Sequence, residues 1–226
     1  MFGPLRKDPV SATGRTDPVG GSDRRALRRE ATIEEILAAA LVMMSTEGVG
    51  GLTMAALARR VSMQPPSLYK YFPSLLAVYD ALFRRGQQQN LDALEAGMAA
   101  AAPGLAAVRA GMESAGRWAV ENPVMAQLLF WRPIPGYQPT TEAFAPAVRI
   151  VELLRAELEG AVAAGELGAG AEGDEAMALL STMHFGVLSQ HLANDPDADW
   201  EHGLFTRLHP RIFEMFAGAY PSKVRR

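Results

Sequence analysis

The sequence predicts an all-α protein, on three grounds. Alanine is abundant and β-branched residues are sparse, a composition that favours helix over sheet. Apolar residues recur at the three- and four-residue spacing of a helix face, and no convincing strand appears. Proline and glycine punctuate the chain at intervals of helix length. About nine helices are expected, divided between a small part at 28–86 and a larger one at 87–226, behind a disordered basic tail at 1–27.

The first helix should start near Arg28, because Ile33, Ile36, Leu37, Ala40, Leu41 and Met44 share one helical face. Gly48-Val49-Gly50-Gly51 stops it, since glycine supplies a left-handed cap and a turn. Thr53 is a suitable N-cap for a short second helix, Met54 to Arg60, with Leu57 and Ala58 inward. A break at Val61-Ser62-Met63 leads into Gln64-Pro65-Pro66-Ser67-Leu68-Tyr69-Lys70-Tyr71-Phe72. Proline in the first turn of a helix loses no hydrogen bond, because those N–H groups lack intrahelical partners. Pro65 and Pro66 therefore start a helix, and Leu68 and Phe72, four apart, share its buried side. From Ser74 a longer helix carries Leu76, Tyr79, Leu82 and Phe83 on one side. Pro103-Gly104 opens a helix running to Glu121-Asn122, and Pro123 opens the next, which ends before Pro133. Residues 133–139 form a loop, and further helices are expected over 141–164, 174–193 and 200–218.

Composition narrows the function. The absence of cysteine excludes disulfides and thiolate metal sites. The first twenty residues lack the apolar core of a signal peptide, and no run of about 18 apolar residues follows. A cytoplasmic protein with no membrane partner is expected. Residues 1–86 carry twelve Lys/Arg against eight Asp/Glu, whereas 87–226 carry ten against seventeen. A basic N-terminal part on an acidic remainder fits a nucleic-acid module attached to something else. Arg24, Arg25, Arg28 and Arg29 precede the first helix, where an extended arm would reach an adjacent minor groove. No nucleophile–base–acid set or metal cluster stands out, so neither an enzyme nor a cofactor is expected. His184 and His191 share a helix face, but their seven-residue spacing suits packing or hydrogen bonding better than a metal. Residues 168–173 spell G-x-G-x-x-G without a preceding strand, and read as an inter-helix loop.

Residues 53–72 have the spacing of a helix-turn-helix, whose second helix enters the major groove of double-stranded DNA. Across roughly 30–80 the chain resembles the TetR (tetracycline-repressor-like) family of transcriptional regulators. The markers are the Gly48 turn, Thr53, Leu57-Ala58 and the run Ser67-Leu68-Tyr69-Lys70-Tyr71-Phe72. The resemblance implies Gln64, Pro65 and Ser67 near base edges, with Thr53, Tyr69, Lys70 and Tyr71 near phosphates. Ser62 stands where a glycine is common in the turn, and Leu75 where a lysine is usual. Loss of that lysine should weaken non-specific affinity and flatten its salt dependence.

The resemblance also implies a three-helix helix-turn-helix domain followed by a helical ligand-binding and dimerisation domain. Trp118, Met125, Phe130, Trp131, Tyr137, His184 and Phe185 are the candidate pocket residues, since methionine and aromatics suit an adaptable site. Arg117, Glu121 and Arg132 are candidates to orient a polar head, beside the loop after Trp131. Met177, Leu180, Val187, Leu188, Leu208 and Ile212 are the candidate face for pairing across a two-fold, although a lone chain could bury them internally. The function expected is a dimeric, ligand-responsive regulator, repressor rather than activator, released from a palindromic operator by a small apolar or amphipathic effector. The rival is a helical adaptor without sequence-specific DNA binding.

Overall fold

The structure, a computed structural model, describes the backbone of residues 19–222 and the side chains from residue 23 onward. Among the described residues there is no strand and there are nine α-helices. They are α1 (Val19–Glu47), α2 (Met54–Arg60), α3 (Pro65–Leu68), α4 (Leu75–Ala99), α5 (Leu105–Glu121), α6 (Pro123–Phe130), α7 (Thr141–Ala163), α8 (Asp174–Asn194) and α9 (His209–Ala219). None of them is long and apolar enough to cross a membrane.

Most boundaries follow local chemistry. The Thr53 and Ser74 side chains accept hydrogen bonds from Ala56 N and Ala77 N, both at 3.2 Å, and so cap α2 and α4. Pro65 and Pro123 occupy the first turns of α3 and α6.

Two boundaries differ from expectation. The helix expected from Arg28 begins at Val19, so part of the predicted tail is helical; residues 1–18 of that tail lie outside the described residues. The segment 24–30 is all Arg, Ala, Leu and Glu, strong helix formers that let an anchored helix extend toward its N-terminus. Residues 200–208, expected in the last helix, instead form turns and one 3-10 turn at Thr206–Leu208. Carboxylates compete for the backbone there: Asp195 accepts from Leu204 N at 2.7 Å and Asp199 from His202 N at 2.8 Å.

Helix α4 organises the rest. At 25 residues it is about 37 Å long, and it runs unbroken through the expected division at residue 86. Its first half buries Val78, Tyr79, Leu82 and Phe83 in a core shared with α1, α2, α3 and α6. Its second half places Leu94 and Met98 in another core, with α5, α7, α8 and α9. Leu76 faces solvent, contrary to expectation, and Leu75 packs against the first core instead. Tyr79 donates to the Val49 carbonyl at 2.7 Å inside that core, and burial raises its pKa.

Close helix approach is bought with glycine. A Cβ on Gly86 would come within 2.6 Å of Met125 Sδ on α6, and one on Gly97 would collide with the Ala110 carbonyl oxygen of α5.

Candidate functional site

Two regions assemble candidate functional side chains: the exposed side of α3 and a cavity in the larger part of the chain. At the first, α2 ends in a Schellman arrangement, with Ser62 N bonded to Arg59 O at 3.1 Å and Met63 N to Ala58 O at 2.9 Å. Ser62 takes a left-handed φ of 54°, the conformation that glycine adopts without strain. The turn is therefore built in full by a serine. Gln64 is the N-cap residue of α3, but its side chain makes no cap hydrogen bond and stays exposed.

Leu68 and Phe72 are buried, as their spacing predicts, so Pro65, Pro66, Tyr69 and Lys70 stand outward. Ser67 and Tyr71 are half-buried. Arg29 of α1 braces the end of this segment. Its guanidinium lies 5.2 Å from the Tyr71 ring centroid and reaches the Lys70 carbonyl at 3.4 Å. Arg29 therefore belongs to a helix that supports α3, not to the extended arm the sequence suggested. Thr53 is occupied as the α2 cap.

The second region is a cavity of about 620 Å³ between α4, α5, α6, α7 and α8. Of the expected pocket residues, Phe130, Trp131, His184 and Phe185 line it. Trp118, Met125 and Tyr137 do not. Met125 is closed into the first core, where it fills the space at Gly86. Trp118 sits against the small cluster around Ala119, Ala126 and Trp200. Tyr137 donates to Asp80 at 3.3 Å, and Asp80 also accepts from Thr140 N at 2.9 Å and Thr140 Oγ1 at 2.8 Å. Burial and the Asp80 charge raise the Tyr137 pKa. The 133–139 loop is thus latched to α4 rather than folded over the cavity. Arg132 reaches the cavity wall, whereas Arg117 pairs with Glu201 outside it and Glu121 does not line it.

Gln87 and Asn90 of α4 line the cavity and are missing from the sequence expectation. Their signal was present: in Phe83, Gln87, Asn90 and Leu94, two amides interrupt a buried helical face.

Behind the cavity His184 Nδ1 lies 3.0 Å from His209 Nε2, both rings buried. Burial, reinforced by His209, holds the His184 pKa down to about 3; burial, reinforced by Arg109, holds His209 down to about 4. Unfolded, both histidines take up protons near pH 6.5. Stability is therefore full above about pH 6.5 and declines as the pH falls toward 4, because the unfolded chain binds more protons. Urea unfolding at pH 7 and pH 5 is expected to show a lower midpoint at pH 5. An unchanged midpoint would contradict the buried neutral pair.

The expected pairing face is mostly committed within the chain. Met177, Leu180 and Ile212 fill the second core, and Leu188 packs beside Trp200. Val187 is half-buried and Leu208 is 45% exposed. The outer side of α8 instead presents Leu179, Thr182, Phe185 and Gly186, and 176–194 contains no Asp, Glu, Lys or Arg.

Comparison with known proteins follows the same division. Residues 36–82 match the family described as bacterial regulatory proteins, tetR family, and residues 108–208 match a tetracyclin repressor-like C-terminal domain. No curated protein matches the chain. Among solved structures, a protein of unknown function from Rhodococcus sp. RHA1 superposes with a TM-score of 0.70 at 19% identity, covering 83% of this chain and 94% of that one. A TetR family transcription regulator from Marinobacter aquaeolei VT8 gives 0.64 at 18% identity, covering 88% and 100%. The regulator FadR from Bacillus subtilis, solved with stearoyl-CoA, gives 0.59 at 18% identity, covering 81% and 97%.

Proposed function

The chain belongs to the tetR family of bacterial regulatory proteins, and from that premise we propose that it is a dimeric repressor which a small molecule releases from a palindromic operator. The observation that carries this reading is the double role of α4. One continuous helix shares the first core with α1, α2 and α3 at its start and lines the cavity at its centre. A molecule that fills the cavity shifts α4, and the Asp80 latch carries that shift to the start of α7 as well. The molecule must prefer the released arrangement by only a few kcal/mol to empty the operator.

In the bound state, the exposed start of α3 sets Gln64, Pro65 and Ser67 toward base edges, and Tyr69, Lys70, Tyr71 and the α2 cap at Thr53 toward phosphates. Pro65 and Pro66 stiffen the end of α3 that enters the groove. Leu75, a neutral side chain packed partly against the first core, supplies no charge at its position.

Pairing uses the uncharged outer stripe of α8, with Val187 and Leu208 at its margins. A helix without a charged face is suited to burial on more than one side, and a second copy of the same helix is self-complementary across a two-fold. Gly186 and Gly218 have no neighbouring atom within 4 Å of a Cβ, leaving room for close helix approach.

The effector is apolar or amphipathic. The cavity volume suits a drug-sized molecule, and in the FadR relative the ligand is stearoyl-CoA.

Binding of the full chain to random duplex DNA across a salt series tests the DNA-binding reading. Lys70→Ala should reduce the slope of log K against log salt by about 1. A folded dimer that binds no DNA at low salt would favour the adaptor instead.

A further inference from the structure

We propose that the cavity selects a molecule with an apolar body and one neutral hydrogen-bonding group, a hydroxyl or an amide, that pairs with Asn90. This rests on reading the cavity as the effector site.

Asn90 is 8% exposed, and its Oδ1 has no hydrogen-bond partner among the described residues. A buried amide oxygen without a partner is costly and rare in native chains. Leu94, Met112, Ala115 and Leu154 of the same cavity wall supply no side-chain donor. Packing alone therefore gives no reason for an asparagine here. A ligand group that donates to it does.

His184 supplies the complementary half. Its Nδ1 is engaged with His209, whose own Nδ1 is buried and unpaired. If His184 donated, His209 would hold its proton on that unpaired nitrogen, leaving a buried N–H unsatisfied. The reverse direction leaves only a lone pair there, which costs less. His209 therefore donates, and His184 carries its proton on Nε2. The Asn90 oxygen is closed off as it stands, and a turn of its amide would offer an acceptor beside a neutral donor at His184, with Gln87 one turn before Asn90. A hydroxyl both donates and accepts, and matches that set.

Of the three charged residues on the wall, two are already paired. Arg155 is held by Asp174 at 2.6 Å and the Glu172 carbonyl at 2.8 Å, and Glu152 pairs with Arg149 at 3.3 Å. Arg132 is exposed and lies 6.0 Å from the Phe144 ring centroid, at the rim. The interior accordingly favours a neutral group over an ionised one.

Calorimetry on the full chain with two matched pairs tests this: 1-naphthol against 1-methylnaphthalene, and 4-octylphenol against 4-octyltoluene. The hydroxylated member of at least one pair should bind roughly tenfold more tightly. In Asn90→Leu that preference should shrink to within about twofold. The same substitution should raise Tm by about 2–6 °C, because it removes an unpaired buried amide. The preference decides. If it survives in Asn90→Leu, or if both members of each pair bind the wild type equally, the inference is overturned while the effector reading stands. If no probe binds the wild type, both fall together.

Discussion

Gly97→Val is expected to destabilise the chain by about 3 kcal/mol and to lower Tm by roughly 6–12 °C. Gly97 lies on the stretch where α4 and α5 touch backbone to backbone. A Cβ there would meet the Ala110 carbonyl oxygen and come within 2.8 Å of Ser114 Cβ, and neither is the mobile end of a long side chain. The contact is closed from the other side too, because a Cβ on Gly111 would stand 3.1 Å from the Leu94 carbonyl oxygen. Accommodating valine therefore requires the helices to separate, which loosens the second core and the wall of the cavity together. Gly160→Ala is the control. It sits inside α7 with no neighbour within 4 Å of a Cβ, so it should gain up to about 1 kcal/mol from helix propensity. Differential scanning calorimetry of both variants gives the answer, and equal Tm values would mean that α4 and α5 are not packed as described.

Leu68→Ala should remove sequence-specific DNA binding with the larger domain left folded. α3 is four residues long, too short to persist without tertiary support, and its support is Leu68 and Phe72, with Arg29 as a brace. Truncating a fully buried leucine costs about 2–5 kcal/mol. The loss falls where Tyr71 N and Phe72 N bond to the Leu68 carbonyl, at 2.9 and 3.1 Å. Hydrogen exchange should accelerate at those amides, and operator affinity should drop by roughly 30-fold or more. Accelerated exchange with unchanged DNA affinity would show that α3 is not the reading helix.

How far the sequence could be read depends on how local each determinant is. The α2–turn–α3 unit was legible to the residue, because Thr53, Pro65 and the Leu68/Phe72 pair act within one or two turns. Even Ser62 was marked by standing where glycine is common, and the structure shows the left-handed backbone behind that mark. The cavity was only half legible. Five helices converge on it, and nothing in the spacing of Trp118, Met125 or Tyr137 says which of them will be first occupied by Gly86, Trp200 or Asp80. Gln87 and Asn90 were readable as amides on a core face. The pairing face was hard to read for a different reason. α8 carries no charge over 176–194, so periodicity cannot distinguish its inner from its outer side. The late start of α9 likewise depends on Asp195 and Asp199 accepting from backbone N–H groups that an uninterrupted helix would use internally.

Under the pairing proposed above, the outer stripe of α8 also links this protein's condition to its abundance. Chains that have met a copy gain stability by mass action, and the gain grows with concentration. Newly made or highly diluted chains leave Leu179 and Phe185 facing water, where any other apolar surface competes for them. On that proposal the supply of chains would set two things at once: how many regulators are assembled, and how long each one survives unassembled.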